Sequence, residues 1–485
     1  MKAKNIVAIS IHGVVLTAII VTMGVLGIVA TGNDSPIDDK FTGELEKNIT
    51  LHILENDTAK QEGYLKHLLD AFNEKYKDYG IVAVDANLDQ FSDLEQDGPH
   101  GYGPDVLYQA NDALMKYVDG KHIQPLPVDK LQCYEHIDEI AWDAYQATVG
   151  LKEYTFGVPV NVQGPLLYYR KDLLPTNWRQ NWDKDHNNIP DMTENWIDMY
   201  EYSKIVKEES GGKKYGYMKS LFDTYFSSGY LFTYGAYVFG NNGRDVNDVG
   251  FSKGESYKGA RIIRQLASVM NEECIDDTIT KNAYSKLGNG TYFATMTTPD
   301  VYSLFIKELT LEYESKGKTK EEAKALAEEN LIVTDIPKLP KEGTLETDSR
   351  DFIPTKMMGG INGYAMSSYT KYPNACLAFI DFATSYEMIH KRNEMLAICP
   401  ARNDVAKDVG GLAEIINTNL VEGNISIMPS VRALSQVWTP AQTFFSDVAK
   451  DPFRKKDPKY LTDESLIEGL KKVDKQIYDA IHTLG

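Results

Sequence analysis

An α/β fold with a largely parallel sheet, led by one membrane-spanning helix, is what three features of the sequence predict. A charge-free run, IVAISIHGVVLTAIIVTMGVLGIVA (6–30), is long enough to cross a bilayer. Short β-branched runs then alternate with a helical period between residues 49 and 110. Amphipathic helical patterns dominate the rest of the 485 residues, whose 42% hydrophobic content is enough to fill a core.

As a helix, residues 6–30 would extend about 37 Å at about 1.5 Å per residue, against a hydrocarbon core of about 30 Å. Lys2 and Lys4 precede the run while Asp34, Asp38 and Asp39 follow it, which places the N-terminus inside and the body outside. Ala30-Thr31-Gly32 would also serve as a cleavage site, but the run exceeds the apolar core of about 7–15 residues usual in signal peptides. Residues 1–31 are therefore expected to be a signal anchor. No cysteine precedes Cys133, so a lipid-modified cysteine does not supply the anchor. Residues 32–47, GNDSPIDDKFTGELEK, are polar and aperiodic, the composition of a tether.

The body opens with ITLHIL (49–54), a strand. EGYLKHLLDAFNEKY (62–76) places Leu65, Leu68, Leu69 and Phe72 at helical spacing, and GIVAVDA (80–86) and PDVLYQA (104–110) are the next two strands. That rhythm defines a βαβ unit and so a parallel sheet. Four later segments, 256–273, 301–331, 374–395 and 463–484, read as amphipathic helices. The last aligns Leu466, Leu470, Val473, Ile477 and Ile481 on one face. A net charge of −19 without clustered Lys or Arg argues against nucleic acid. Cys133, Cys274, Cys376 and Cys399 show no short metal or redox spacing and are expected to be buried thiols. Tyrosine is abundant, 30 against 5 tryptophans, and its flat apolar face and hydroxyl suit polar, ring-shaped ligands.

Four segments together resemble the extracellular solute-binding proteins of ABC importers, of the maltodextrin-binding type. They are GPDVLYQANDALMKYVDGKHIQPL (103–126), YTFGVPVNVQGPLLYYRKDLLP (154–175), GGINGYAMSSYTKYPNACLAFIDFATSYEMIHKRNEMLAICPARNDV (359–405) and GNISIMPSVRALSQVWTPAQTFFSDV (423–448). In this order they cover residues 48–485. The resemblance implies a two-lobed periplasmic-binding-protein-like fold of type II, with a hinge of crossing strands and a sugar held in the cleft on which the lobes close. The first lobe would comprise 48–161 and 360–407, the second 162–359 and 408–485. The hinge would lie near Val160–Gln163 and Gly359–Asn362, where glycines 359, 360 and 363 can absorb backbone rotation.

Site residues follow by position. Trp438 aligns with the family's stacking tryptophan, and an aromatic face suits the C–H face of a pyranose. Asn111 and Asp112 fall where the family holds a sugar with a carboxylate; helix N-capping is the alternative. Asp223 and Tyr225 in FDTYF match an acid-x-aromatic pair. Glu55 and Asp57 match the first binding loop, although a surface turn accounts for them equally. Gln109 stands where the family has a further stacking tryptophan, and Gln163 where it has a carboxylate; an amide still donates to and accepts from a hydroxyl. Tyr108, Tyr302 and Tyr364 are candidate replacements for the missing platform.

No HExxH or P-loop occurs, and among 70 carboxylates some pair always mimics a glycosidase dyad. A non-catalytic receptor is favoured over an exported glycoside-acting enzyme or a surface adhesin. Such a receptor would act as a monomer, need no cofactor, and deliver an oligosaccharide to an importer's permease subunits while held at the cell membrane by its N-terminal helix.

One segment asks for a metal. In WDKDHNNIPDMTENW (182–196), Asp183, Asp185, Asn187, Ile189 (through its carbonyl), Asp191 and Glu194 occupy positions 1, 3, 5, 7, 9 and 12 of an EF-hand-type calcium loop. Asn188 replaces the usual glycine at position 6. The competing reading makes Asp191 and Glu194 a capping box for the following helix, and the two can coexist. A structural calcium is expected here, on the second lobe and away from the cleft.

Overall fold

The computed structural model describes residues 40–87 and 93–484. The chain divides into two compact units, Met1–Glu44 and Leu45–Gly485. The expected membrane helix at 6–30 lies outside the described residues; among the described residues no helix is long and apolar enough to cross a membrane.

The second unit is built on two main sheets. The larger contains β1 (Ile49–Leu54), β2 (Ile81–Asp85), β3 (Val106–Ala110), β6 (Gly157–Gln163), β14 (Met357–Met366), β15 (Cys399–Pro400) and β16 (Ile425–Ile427). Its order is β15-β6-β14-β3-β1-β2, with β16 beside β14. The smaller contains β7 (Leu166–Arg170), β8 (Tyr215–Tyr217), β10 (Tyr292–Thr297) and β11 (Leu331–Thr334), in the order β11-β7-β10-β8. Two strand pairs and one further strand lie outside this scheme or at its rim. They are β4 (Gln146–Val149) with β5 (Lys152–Thr155), β12 (Leu339–Pro340) with β13 (Phe352–Ile353), and β9 (Asp245–Val249), which bridges to Phe239 and Gly240.

The expected βαβ unit is present. β1 pairs in parallel with β2 and with β3, and the helix Tyr64–Lys75 between them buries Leu65, Leu68, Leu69 and Phe72. The sheet as a whole is mixed rather than largely parallel, because β14 runs antiparallel to both β3 and β6. Strand content alone does not reveal this, since the reversal comes from a strand some 250 residues downstream.

Two expected helices are each broken in two. Residues 301–331 form Tyr302–Ser315 and Lys320–Asn330. The break falls at Gly317, whose φ of 88° suits glycine, and at Thr319, which closes a capping box with Glu322. Residues 374–395 form Pro373–Ala383 and Tyr386–Leu396, the second capped by Ser385. The C-terminal helix Asp463–Leu484 is continuous; its stripe buries Leu466, Leu470, Val473 and Ile477, while Ile481 is half-buried. Burying each such aliphatic side chain contributes about 1.5–3 kcal/mol. All four cysteines are buried and unpaired.

The chain passes between the two sheets twice, from β6 to β7 and from β11 to β14, and a third crossing leads from β16 to the helix Trp438–Lys450, which packs on the helices Tyr257–Ser268 and Thr224–Phe232. The two expected hinge stretches are neighbours, Gly360 opposite Gln163, Ile361 opposite Val162 and Asn362 opposite Asn161. Gly359 and Gly363 are not in the left-handed region. They are glycine because of close approach: a Cβ would meet the Gln163 carbonyl oxygen at 2.6 Å and the Val158 carbonyl oxygen at 2.4 Å, respectively. β16 pairs in parallel with Met357–Gly359, the first residues of β14.

Candidate functional site

Asp223 caps the helix Thr224–Phe232, its carboxylate accepting from the Tyr225 N–H at 3.0 Å. That cap aims Tyr225 out of the first helical turn, and its hydroxyl donates to the Gln163 carbonyl at the end of β6, 3.5 Å away. Burial pushes the phenol well above the ordinary tyrosine range, and the charges of Asp300, Asp223 and Asp112 push the same way. Asp112 stands just past β3 of the larger sheet, and Asp300 just past β10 of the smaller one. Tyr225 therefore gathers polar groups from both lobes. Three carboxylates and the Gln163 carbonyl make this group rich in acceptors, the complement of a ligand rich in hydroxyl donors. Asp112 is half-buried, and that burial raises its pKa against the opposing pull of backbone N–H groups and Lys116.

Not every expected residue joins this group. Trp438 is half-buried in the first turn of its helix and pairs with no other aromatic ring among the described residues. Tyr302, also half-buried, starts the helix Tyr302–Ser315, and its charge and that of Asp300 both act on Tyr168. Asp57 is exposed in the first turn of a short helix capped by Asn56.

Glu55, Tyr108 and Tyr364 are elsewhere, in the interior of the first lobe. Arg392 donates from Nη1 to Glu55 Oε1 at 2.7 Å and from Nη2 to Oε2 at 3.0 Å, with both side chains fully buried. Tyr364 donates to the same carboxylate, Tyr108 donates to Asn161, and the guanidinium lies 4.0 Å from the centroid of the Tyr108 ring. A carboxylate saturated by a bidentate guanidinium and a phenol has no oxygen left for a sugar, so these three leave the candidate list. Asn111 is likewise buried and structural. Its Nδ2 donates to the Met428 carbonyl at 2.9 Å and to Ser430 Oγ at 2.7 Å, and its Oδ1 accepts from the Ile361 N–H at 3.1 Å.

Two residues escaped the sequence reading. Asp300 follows Pro299 two positions before Tyr302 and was findable as the polar residue that ends β10. Lys219, 7% exposed, precedes Asp223 by four residues, and no periodic signal marks it. A cavity of about 890 Å³ also lies between the lobes, walled by Met115, Asp143, Phe239, Arg244, Ile427 and their neighbours. Its size suits a ligand, but it contains none of the groups that converge on Tyr225, and we assign the site by chemistry rather than by volume.

The acidic loop is ordered by its own side chains. Asn187 Nδ2 donates to Asp185 at 3.1 Å and to Glu194 at 2.9 Å, Asp183 accepts from the Asn188 N–H at 3.3 Å, and the Lys184 N–H reaches Asp191 at 3.3 Å. Carboxylate oxygens of Asp185, Asp191 and Glu194 lie within 4.8 Å of one another. His186 and Asn188 take left-handed φ values of 60° and 64°, which turns the chain tightly enough to bring them together. The expected capping box is absent: the helix Trp196–Glu209 is capped by Asn195, which accepts from the Asp198 N–H at 2.9 Å. Asp191 and Glu194 are thereby left facing the loop. Burial raises both of their pKa values, with Asp198 adding to the rise at Asp191 and Asp185 to that at Glu194. Hard, oxygen-only donors at this spacing fit Ca²⁺.

Two α/β lobes with polar groups converging from both sides define a two-lobed binding protein. The family profile described as bacterial extracellular solute-binding protein matches residues 67–416, and the chain belongs to that family of binding proteins, which are not enzymes. It is 24% identical over 422 residues to a galactooligosaccharide-binding protein of Bacillus subtilis strain 168, covering 84% of this chain and 86% of that one. It is also 24% identical over 448 residues to the maltodextrin-binding protein MdxE of the same organism, covering 90% and 91%. Among solved structures, the maltose-binding periplasmic protein MalE of Listeria monocytogenes in complex with maltose superposes with a TM-score of 0.68 at 22% identity, over 90% of this chain and 98% of that one. MalX of Streptococcus pneumoniae in complex with maltopentaose gives 0.63 at 19% identity, over 88% and 99%.

Proposed function

We propose that this protein is an extracellular receptor for oligosaccharides of the malto-oligosaccharide kind. It closes its lobes on the sugar and hands it to the permease of an ABC importer. The observation that carries this reading is Tyr225, whose hydroxyl donates to the Gln163 carbonyl where the chain crosses between lobes and on which the charges of Asp112, Asp223 and Asp300 act. Relatives named for binding maltodextrin and galactooligosaccharide support the sugar class. Gln109, where the family type stacks a tryptophan, marks a ligand preference that differs in detail. The receptor acts as a monomer, with a signal anchor at residues 1–31, a tether at 32–47, and a hinge between the lobes near Val160–Gln163 and Gly359–Asn362. The loop 183–194 holds a structural calcium on the second lobe. Calorimetric titration with maltose, maltotriose, trehalose and glycerol phosphate tests the function: saturable heat with a maltosaccharide is expected, and none with any of them would sink the reading. Recovery of the chain free in a culture supernatant would do the same for the anchor.

A further inference from the structure

Beside the Tyr225 group, a recess of about 40 Å³ is walled by Lys219, Ser220, Thr280, Tyr284, Thr295 and Thr297. At about 10–15 Å³ for each water-sized position, it has room for about three heavy atoms. Lys219 is 7% exposed, and among the described residues its ammonium has no hydrogen-bond or ion-pair partner. Its Nζ lies 3.2 Å from the centroid of the Phe226 ring. Asp223 acts on it through space, with that carboxylate engaged in capping the next helix. A buried ammonium without a counter-charge in contact is costly unless something completes it, and burial brings its pKa down to about 8. The recess shares its neighbours with the sugar site: Asp223 acts on both Lys219 and Tyr225, and Asp300 on both Tyr284 and Tyr225.

We propose that the Lys219 recess is a subsite for a carboxylate carried by the saccharide, so that the preferred ligand is an acidic oligosaccharide ending in a uronate. This rests on the sugar-receptor reading. The ammonium supplies the charge, and the recess hydroxyls other than that of Ser220, which donates to the Asp276 carbonyl at 2.6 Å, are placed to donate to the two carboxylate oxygens. Three heavy atoms match a carboxylate, whereas a phosphate has five.

The test is calorimetric titration of the whole protein with three probes: maltotriose, the same trisaccharide oxidised to the uronate at C6 of its terminal glucose, and its C6 phosphate ester. Wild type is expected to bind the uronate about tenfold more tightly than maltotriose. In Lys219→Met, whose unbranched chain still covers Phe226, that preference should shrink to within about twofold. Maltotriose binding as tightly as the uronate in wild type, or a preference that survives in Lys219→Met, would overturn the proposal. Tighter binding of the phosphate ester would overturn the choice of carboxylate. If none of the three binds, the sugar-receptor reading fails and the subsite with it. The wild-type ratio decides the matter even if the variant does not fold.

Discussion

The hydroxyl of Tyr225 lies 3.5 Å from the carbonyl oxygen of Gln163, so a side chain on a helix of the second lobe touches the last residue of a strand of the first. A ligand seated here is gripped from both sides, and removing one grip should weaken binding without unfolding either lobe. Tyr225→Phe and Asp112→Asn are each expected to lower sugar affinity about tenfold, the worth of one or two hydrogen bonds, with melting temperatures near wild type. Unchanged affinity in both would place the site elsewhere.

Trp438→Ala removes an aromatic face rather than a hydrogen bond. A loss of tenfold or more is expected, with Asp143→Asn in the 890 Å³ cavity as the control that leaves affinity alone. The opposite pattern in the same titrations would move the ligand into that cavity.

Glu55 and Arg392 are a different case, because their pairing holds the first lobe together. Glu55→Gln leaves a buried guanidinium short of its counter-charge, and urea unfolding should show a loss of about 3–5 kcal/mol. Material that stays folded should bind sugar as wild type does; loss of binding without loss of stability would return Glu55 to the ligand site.

Calcium makes its own forecast. Chelator is expected to lower the melting temperature of the wild-type protein by several degrees, through loss of a ligand held only by the folded chain. In Asp185→Asn with Glu194→Gln that response should vanish. A wild-type melting curve indifferent to chelator would mean that Asn187 alone stitches the loop.

Lys219 sets a pH dependence whose sign can be worked out. Its folded pKa of about 8 lies below the unfolded value of 10.5, so above pH 8 the unfolded chain holds the extra proton. Stability is therefore gained as pH rises through that window. Buried tyrosines with raised pKa values act oppositely, but only above about pH 10. From pH 7.5 to 9.5, wild type should gain on the order of 1–2 kcal/mol relative to Lys219→Met, read from urea unfolding at each pH.

The chain's periodicities carried the βαβ start and the terminal helix, whereas Asp223 and Tyr225 were singled out only by the family resemblance. What failed to show was tertiary. Glu55 and Tyr364 are polar residues at the right points in the chain, and only the arrival of Arg392 from more than 300 residues away turns Glu55 inward. The Asp191/Glu194 capping pattern was real in sequence, yet Asn195 beside the helix start took the role. Lys219 gave no warning because isolated lysines are ordinarily solvated, and nothing local says that this one is covered.

Asn111 has a mechanical consequence. By holding both Met428 and Ser430, with Ser430 donating in turn to the Ala144 carbonyl at 2.7 Å, it fastens the third crossing to the first lobe. Arg432 extends that fastening, 3.2 Å from Glu95. The link from there to Trp438 is the short 3-10 turn Arg432–Gln436, with Leu434 and Val437 buried. The tryptophan thus sits close behind a fixed point, so a turn at that point moves its ring only a little, like a door pushed beside its hinge.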